Sequence, residues 1–144
     1  MAQGVEMPPL DAGLLRRWIS AVAADHDREA AELTYIFCDD ATILDVNRRF
    51  LQHDYYTDII TFDYTRGRRL RGDIYLSLDT VASNARMLGV DYERELHRVI
   101  IHGVLHLCGI DDKAPGQRQI MESHEDKALE ILSQLTDNQD NNPI

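Results

Sequence analysis

From Val99 to Cys108 the chain is apolar almost all round, and the exceptions are His102 and His106. An unbroken apolar segment of that length predicts a helix buried on most of its faces, with the remaining domain wrapped around it. A buried helix does not carry two imidazoles without partners for them. On a helix, residues four apart are offset by only about 40°, with Cβ atoms roughly 5–6 Å apart, so both rings can converge on one point. Such a pair suits zinc, which takes imidazole nitrogen at about 2.0–2.1 Å. Gly109 supplies the stop, since glycine readily adopts the left-handed conformation that ends a helix. Asp112, three residues on, is then expected to return as a third, anionic ligand. Three protein ligands and one open position describe a catalytic zinc site rather than a structural one. Asp111 is the rival for that role. The same face also carries Glu95 and Arg98, which line up with His102 and His106 at helical spacing. A surface ion pair is the plainer reading of those two.

The spacing H-x-x-x-H-x-x-G-x-x-D resembles that of the metzincin peptidases, which need a glutamate directly after the first histidine as general base. Here that position is Gly103. A peptidase-like zinc hydrolase is therefore an alternative that lacks its carboxylate. A second alternative is a non-catalytic ribosome-binding module that the metal merely stabilises, with His124 as a fourth ligand. His26, His53 and His97 read as structural.

Three stretches, in this order and spacing, carry a family resemblance. Asn47-Arg-Arg-Phe50 is followed by Asp54-Tyr-Tyr-Thr57-Asp58-Ile-Ile-Thr-Phe62, then by Gly72-Asp73-Ile74-Tyr-Leu-Ser77, then by the histidine stretch through Gly109 and Asp111. Together they resemble the YbeY endoribonucleases, bacterial ribosomal RNA maturation factors, over about residues 33–135. The resemblance implies a mixed four-stranded sheet and a zinc-dependent endoribonuclease. It also implies single-stranded and ribosomal RNA as substrate and ribosomal subunits as partners. Two departures stand out. The family's third histidine falls on Asp112, and an arginine usual after the aromatic residue falls on Leu51. Arg48 and Arg49, just upstream, are the candidates to stand in for it. For the general base, Glu95 and Asp111 are the carboxylates within reach.

A chain of 144 residues, 44% hydrophobic and 28% charged, fits one globular domain. No apolar run approaches a membrane span, and the start lacks the pattern of a signal peptide. Cys38 and Cys108 are too few for a disulfide framework and read as reduced core residues, as in a cytoplasmic protein. The net charge of −10 argues against unspecific nucleic-acid binding. Yet Arg48, Arg49, Arg66, Arg68, Arg69 and Arg71 cluster in one stretch, and such a patch can meet phosphates.

The remaining pattern reads as α+β. Helices are expected over about 10–25, from an Asp39/Asp40 cap to Leu51, from an Asp79 cap to Gly89, and from an Asp91 cap into the histidine stretch. A last helix begins at Ala114-Pro115 and is packed by Ile120, Met121, Ala128, Leu132 and Leu135. Strands are expected at Leu33–Cys38, Asp58–Tyr64 and Leu70–Leu76, the latter two forming a hairpin. Residues 1–9 read as a loose start, and only the four-stranded sheet that the resemblance implies asks for a further short strand near residues 2–7. Residues 1–135 form the domain in this reading, and 136–144 a disordered polar tail.

Overall fold

A computed structural model describes residues 2, 3, 5–51, 57–110, 112 and 114–140. The elements in order are β1 (Ala2–Gln3), α1 (Ala12–Asp25), β2 (Glu29–Cys38), α2 (Asp40–Phe50), β3 (Ile59–Asp63), β4 (Arg69–Ser77), α3 (Leu78–Leu88), α4 (Tyr92–Leu107) and α5 (Gln117–Asp140). The sheet order is β1-β2-β4-β3, with β3 antiparallel to β4 and the other pairings parallel. This is the expected α+β fold with a mixed four-stranded sheet.

Strand alternation sorts side chains between the two faces. Along β4, Leu70, Gly72, Ile74 and Leu76 are buried. Ile74 and Leu76 join Trp18, Ile100, Ile101 and Leu105 in the main core under the long helices. Cys38, Ile43, Val46 and Ile60 form a smaller cluster, against which Phe62 and Tyr75 pack. Trp18 is fully buried and its Nε1 donates to the Ala128 carbonyl at 2.7 Å, tying α1 to α5. Its role is therefore core packing. Cys38 and Cys108 are both free and buried, and burial pushes the Cys38 thiol up to about 12.

Caps explain most helix boundaries. Asp11 accepts from Leu14 N at 3.0 Å and Asp39 from Thr42 N at 2.8 Å. The expected Asp79 cap is corrected: Ser77 caps α3, while Asp79 accepts instead from Asp40 N at 3.0 Å. Asp91 occupies the cap position of α4 without a side-chain bond. β2 begins four residues earlier than expected. Its polar half pairs with the arginine-rich start of β4, setting Glu29 opposite Arg69 and Glu32 opposite Arg71. Such cross-strand charge pairs favour the strand where hydrophobicity alone gives no signal.

Two expectations at the C-terminal end change. Ile120 is 53% exposed, and the buried stripe of α5 runs through Met121, Ala128 and Leu132 instead. The helix also continues to Asp140, past the expected end at Leu135. No proline or glycine interrupts 136–140, and the Thr136 hydroxyl donates back to the Leu132 carbonyl at 3.0 Å. Residues 141–144 lie outside the described residues.

Candidate functional site

α4 packs against the sheet at Gly103. A Cβ built there would stand 3.0 Å from Ile59 Cδ1 and 3.2 Å from Ile74. The residue after His102 thus faces the sheet, where a side chain would have to displace Ile59 and Ile74. A glutamate in the metzincin position would meet packed isoleucines rather than a cleft. On the neighbouring face, His102 and His106 present nearly parallel rings, with centroids 6.4 Å apart and an interplanar angle of 17°.

The expected stop is present at Gly109, with φ +94°. Gly109 N donates to the His106 carbonyl and Ile110 N to that of Leu105, the paired bonds of a Schellman end. The chain then brings Asp112 back, and its Oδ2 lies 3.5 Å from His102 Nε2. Two ligands on one tetrahedral zinc ion, each at about 2.0–2.2 Å, are separated by about 3.3–3.5 Å. The His102–Asp112 pair has that spacing. Among the described residues no group of three His, Cys, Asp or Glu side chains is gathered tightly enough to enclose an ion. Asp111 lies outside the described residues, as does His53.

Behind His102 runs a chain of buried charges. His102 Nδ1 is 2.6 Å from Glu125 Oε2, and Glu125 Oε1 is 3.2 Å from Arg98 Nη1. Arg98 also donates through Nε and Nη2 to Glu95 Oε1 and Oε2, at 2.7 and 2.5 Å. Glu95 is 1% exposed, so the pair expected at the surface is a buried one. Both Glu95 oxygens are engaged by Arg98, which leaves neither to act as a general base. The Glu95 hydrogen bonds hold the Arg98 guanidinium more firmly protonated than usual. Burial disfavours the His102 imidazolium, but the Glu125 bond and charge, then Asp112 and Asp58, outweigh it and raise the His102 pKa. Burial, which works against the charged form here too, raises the pKa of Asp58.

Two adjoining clefts, about 490 and 380 Å³, share Asp58, His102 and Asp112. Arg98, Arg118 and Glu125 line the first, and Asn47, Leu51, Thr57 and His106 the second. Leu51 thus faces the cleft, where the family arginine would sit. Arg48 and Arg49 do not line either cleft. Both are exposed, and Arg49 pairs with Asp45 one turn back at 3.1 Å. By helical spacing Arg49 points about 160° away from residue 51, while Arg48, three residues before it, is offset by about 60° and stands beside that position rather than in it. His124 meets the ring of His26 at 4.9 Å and His97 that of Trp18 at 5.6 Å, which keeps both from the His102 cluster.

Glu125, Asp58 and Asn47 are missing from the sequence-based site. Glu125 left a readable signal, a carboxylate on the apolar stripe of α5 at helical spacing from Met121 and Ala128. Asn47 is 1% exposed on the apolar side of α2, a similar sign.

A sequence model described as Endoribonuclease YbeY matches residues 9–133. The chain belongs to the YbeY endoribonuclease family. Among relatives of that name, the Phocaeicola vulgatus protein is 58% identical over 131 residues, covering 91% of this chain and 95% of the relative. The Bacteroides thetaiotaomicron protein is 58% identical over 127 residues, covering 88% and 93%. The solution structure of TM1509 from Thermotoga maritima shares the fold, with a TM-score of 0.63 and 24% identity. It covers 99% of this chain and 97% of that one. Among the described residues, no helix is long and apolar enough to cross a membrane.

Proposed function

We propose that this YbeY family member is a zinc-dependent endoribonuclease that cuts single-stranded RNA. Its expected setting is ribosomal RNA processing and ribosome maturation in the cytoplasm, with ribosomal subunits as partners. The observation that carries the metal reading is the 3.5 Å spacing of His102 Nε2 and Asp112 Oδ2 beside a carboxyl-rich cleft. His102, His106 and Asp112, which line one cleft, would hold the ion. Bound there, zinc would polarise a phosphoryl oxygen and acidify a water. Asp112 adds a negative charge, making the centre a weaker Lewis acid than three histidines would.

The chain's own residues do the rest. Gly103 holds α4 against β3 and β4, so that the imidazoles emerge beside the β3 strand. Thr57 to Thr61 and Leu51 form the far wall of the cleft. Phosphates of the RNA meet arginines of the 48–71 segment on the surrounding surface, with Arg48 and Arg49 acting as outer contacts. Phe50, 65% exposed beside Leu51, offers a ring face to an unstacked base. Against a peptidase stands the placement of Gly103 against the sheet.

The test pairs metal analysis by mass spectrometry with cleavage of end-labelled single-stranded and duplex RNA. The expected result is cleavage of single strands that is lost on chelation and restored by zinc. Undiminished cleavage by fully metal-free protein would overturn the proposal.

A further inference from the structure

α5 carries a carboxylate where its packing stripe should be apolar. Glu125 is 2% exposed, between Met121 and Ala128, each also 2% exposed. A buried carboxylate is costly unless its oxygens are bonded. Here one oxygen takes Arg98 Nη1 at 3.2 Å, and the other meets His102 Nδ1 at 2.6 Å. Arg98 is itself gripped by both oxygens of Glu95. An ion pair serving stability alone would be complete with Arg98 and Glu95. The extra member spends its shortest contact on an imidazole.

The direction of that contact follows from chemistry. A guanidinium only donates. A carboxylate bonded to it accepts at both oxygens, so Nδ1–H of His102 is the donor. In a neutral imidazole one nitrogen carries the proton and the other the lone pair. With the proton on Nδ1, the lone pair lies on Nε2, the nitrogen 3.5 Å from Asp112 Oδ2. Glu125 is also ruled out as a ligand, since it occupies the nitrogen of His102 that faces away from Asp112.

We propose that Glu125 is the positioning residue of this centre: it selects the Nδ1–H tautomer of His102 and aims the Nε2 lone pair at the site shared with Asp112. Arg98, clamped by Glu95, fixes the Glu125 carboxylate in turn. Carboxylates behind metal-bound histidines act this way, fixing ring orientation and raising ligand basicity. The consequence for metal affinity rests on the zinc reading above; the tautomer assignment does not.

The experiment therefore has two readouts. Long-range ¹H–¹⁵N correlation spectra of metal-free protein, taken where the His102 ring is neutral, report the tautomer. Competition against a chromophoric chelator reports zinc affinity. The wild-type protein should show Nδ1–H at His102. Glu125→Ala should shift it toward Nε2–H and weaken zinc binding about 10–100-fold. Glu125→Gln has a single acceptor oxygen, which Arg98 claims because a guanidinium only donates. Its NH2 then faces Nδ1 and should shift the ring toward Nε2–H, with weaker zinc binding, as in Glu125→Ala. A wild-type ring protonated on Nε2 overturns the proposal, and so does a folded Glu125→Ala with unchanged tautomer and affinity. If Glu125→Ala fails to fold, the wild-type and Glu125→Gln spectra decide. If the wild type binds no zinc, the metal reading falls, while the tautomer still judges Glu125.

Discussion

Two groups of arginine–carboxylate contacts sit in this fold, and they differ in burial. At the β3–β4 turn, Arg68 meets Asp27 at 3.0 Å with both side chains open to water, at 69% and 87% exposure. Between α4 and α5, Arg98 meets Glu95 and Glu125, whose side chains are 1% and 3% exposed. The first kind is screened and contributes little, about 0.2–1 kcal/mol. In the second the two carboxylates have given up their hydration, while Arg98 keeps 30% of its side chain exposed, so removing Arg98 strands buried negative charge. Burial at such a cost is expected where geometry has to be held, and the inner group ends on His102. The outer arginines face water, where a solvated polyanion can reach them.

The comparison breaks hardest at Arg98. Arg98→Met should cost about 3 kcal/mol in urea unfolding, because Glu95 and Glu125 lose their shared donor. Arg68→Ala should cost less than about 1 kcal/mol. Equal effects would erase the distinction.

A second contrast concerns RNA. Charge reversal at Arg48 and Arg49 should weaken single-stranded RNA binding and reduce its salt slope by about 0.7 for each phosphate that is no longer neutralised. Folding should stay unchanged, since both side chains are exposed. An unaltered salt slope would show that they only solvate α2.

The smallest expected effect is one of pH. Burial raises the Asp58 pKa in the folded protein, so the folded state holds that proton more tightly than the unfolded one. Asp58 therefore favours folding at low pH, and its contribution fades as pH rises from about 3.9 through the folded value. In metal-free protein, Asp58→Asn should remove that decline and gain relative stability at neutral pH. Unfolding midpoints at pH 4 and pH 7 would show it, and parallel losses in both proteins would refute it.

The legible parts of the sequence are those where one local pattern carries the information. The apolar run around His102, the Gly109 stop and the β3–β4 hairpin are set by nearby residues, and the structure has them as expected. The polar start of β2 is not legible, because its pairing with β4 lies about 40 residues away. The inner charge network is half legible. Glu95, Arg98 and His102 share one helical face, but their depth depends on α5, and Glu125 is 23 residues from His102. Arg48 and Arg49 are both close to Leu51 in sequence, but helical rotation turns Arg49 away from it and leaves only Arg48 on a neighbouring face.

Zinc content of wild type, Asp112→Ala and Asp112→His, measured alongside RNA cleavage, tests the central claim most directly. The account predicts one zinc per chain and activity in the wild type. Asp112→Ala should lose both, while Asp112→His should retain the metal. Full zinc in Asp112→Ala, or none in the wild type after reconstitution, would contradict it.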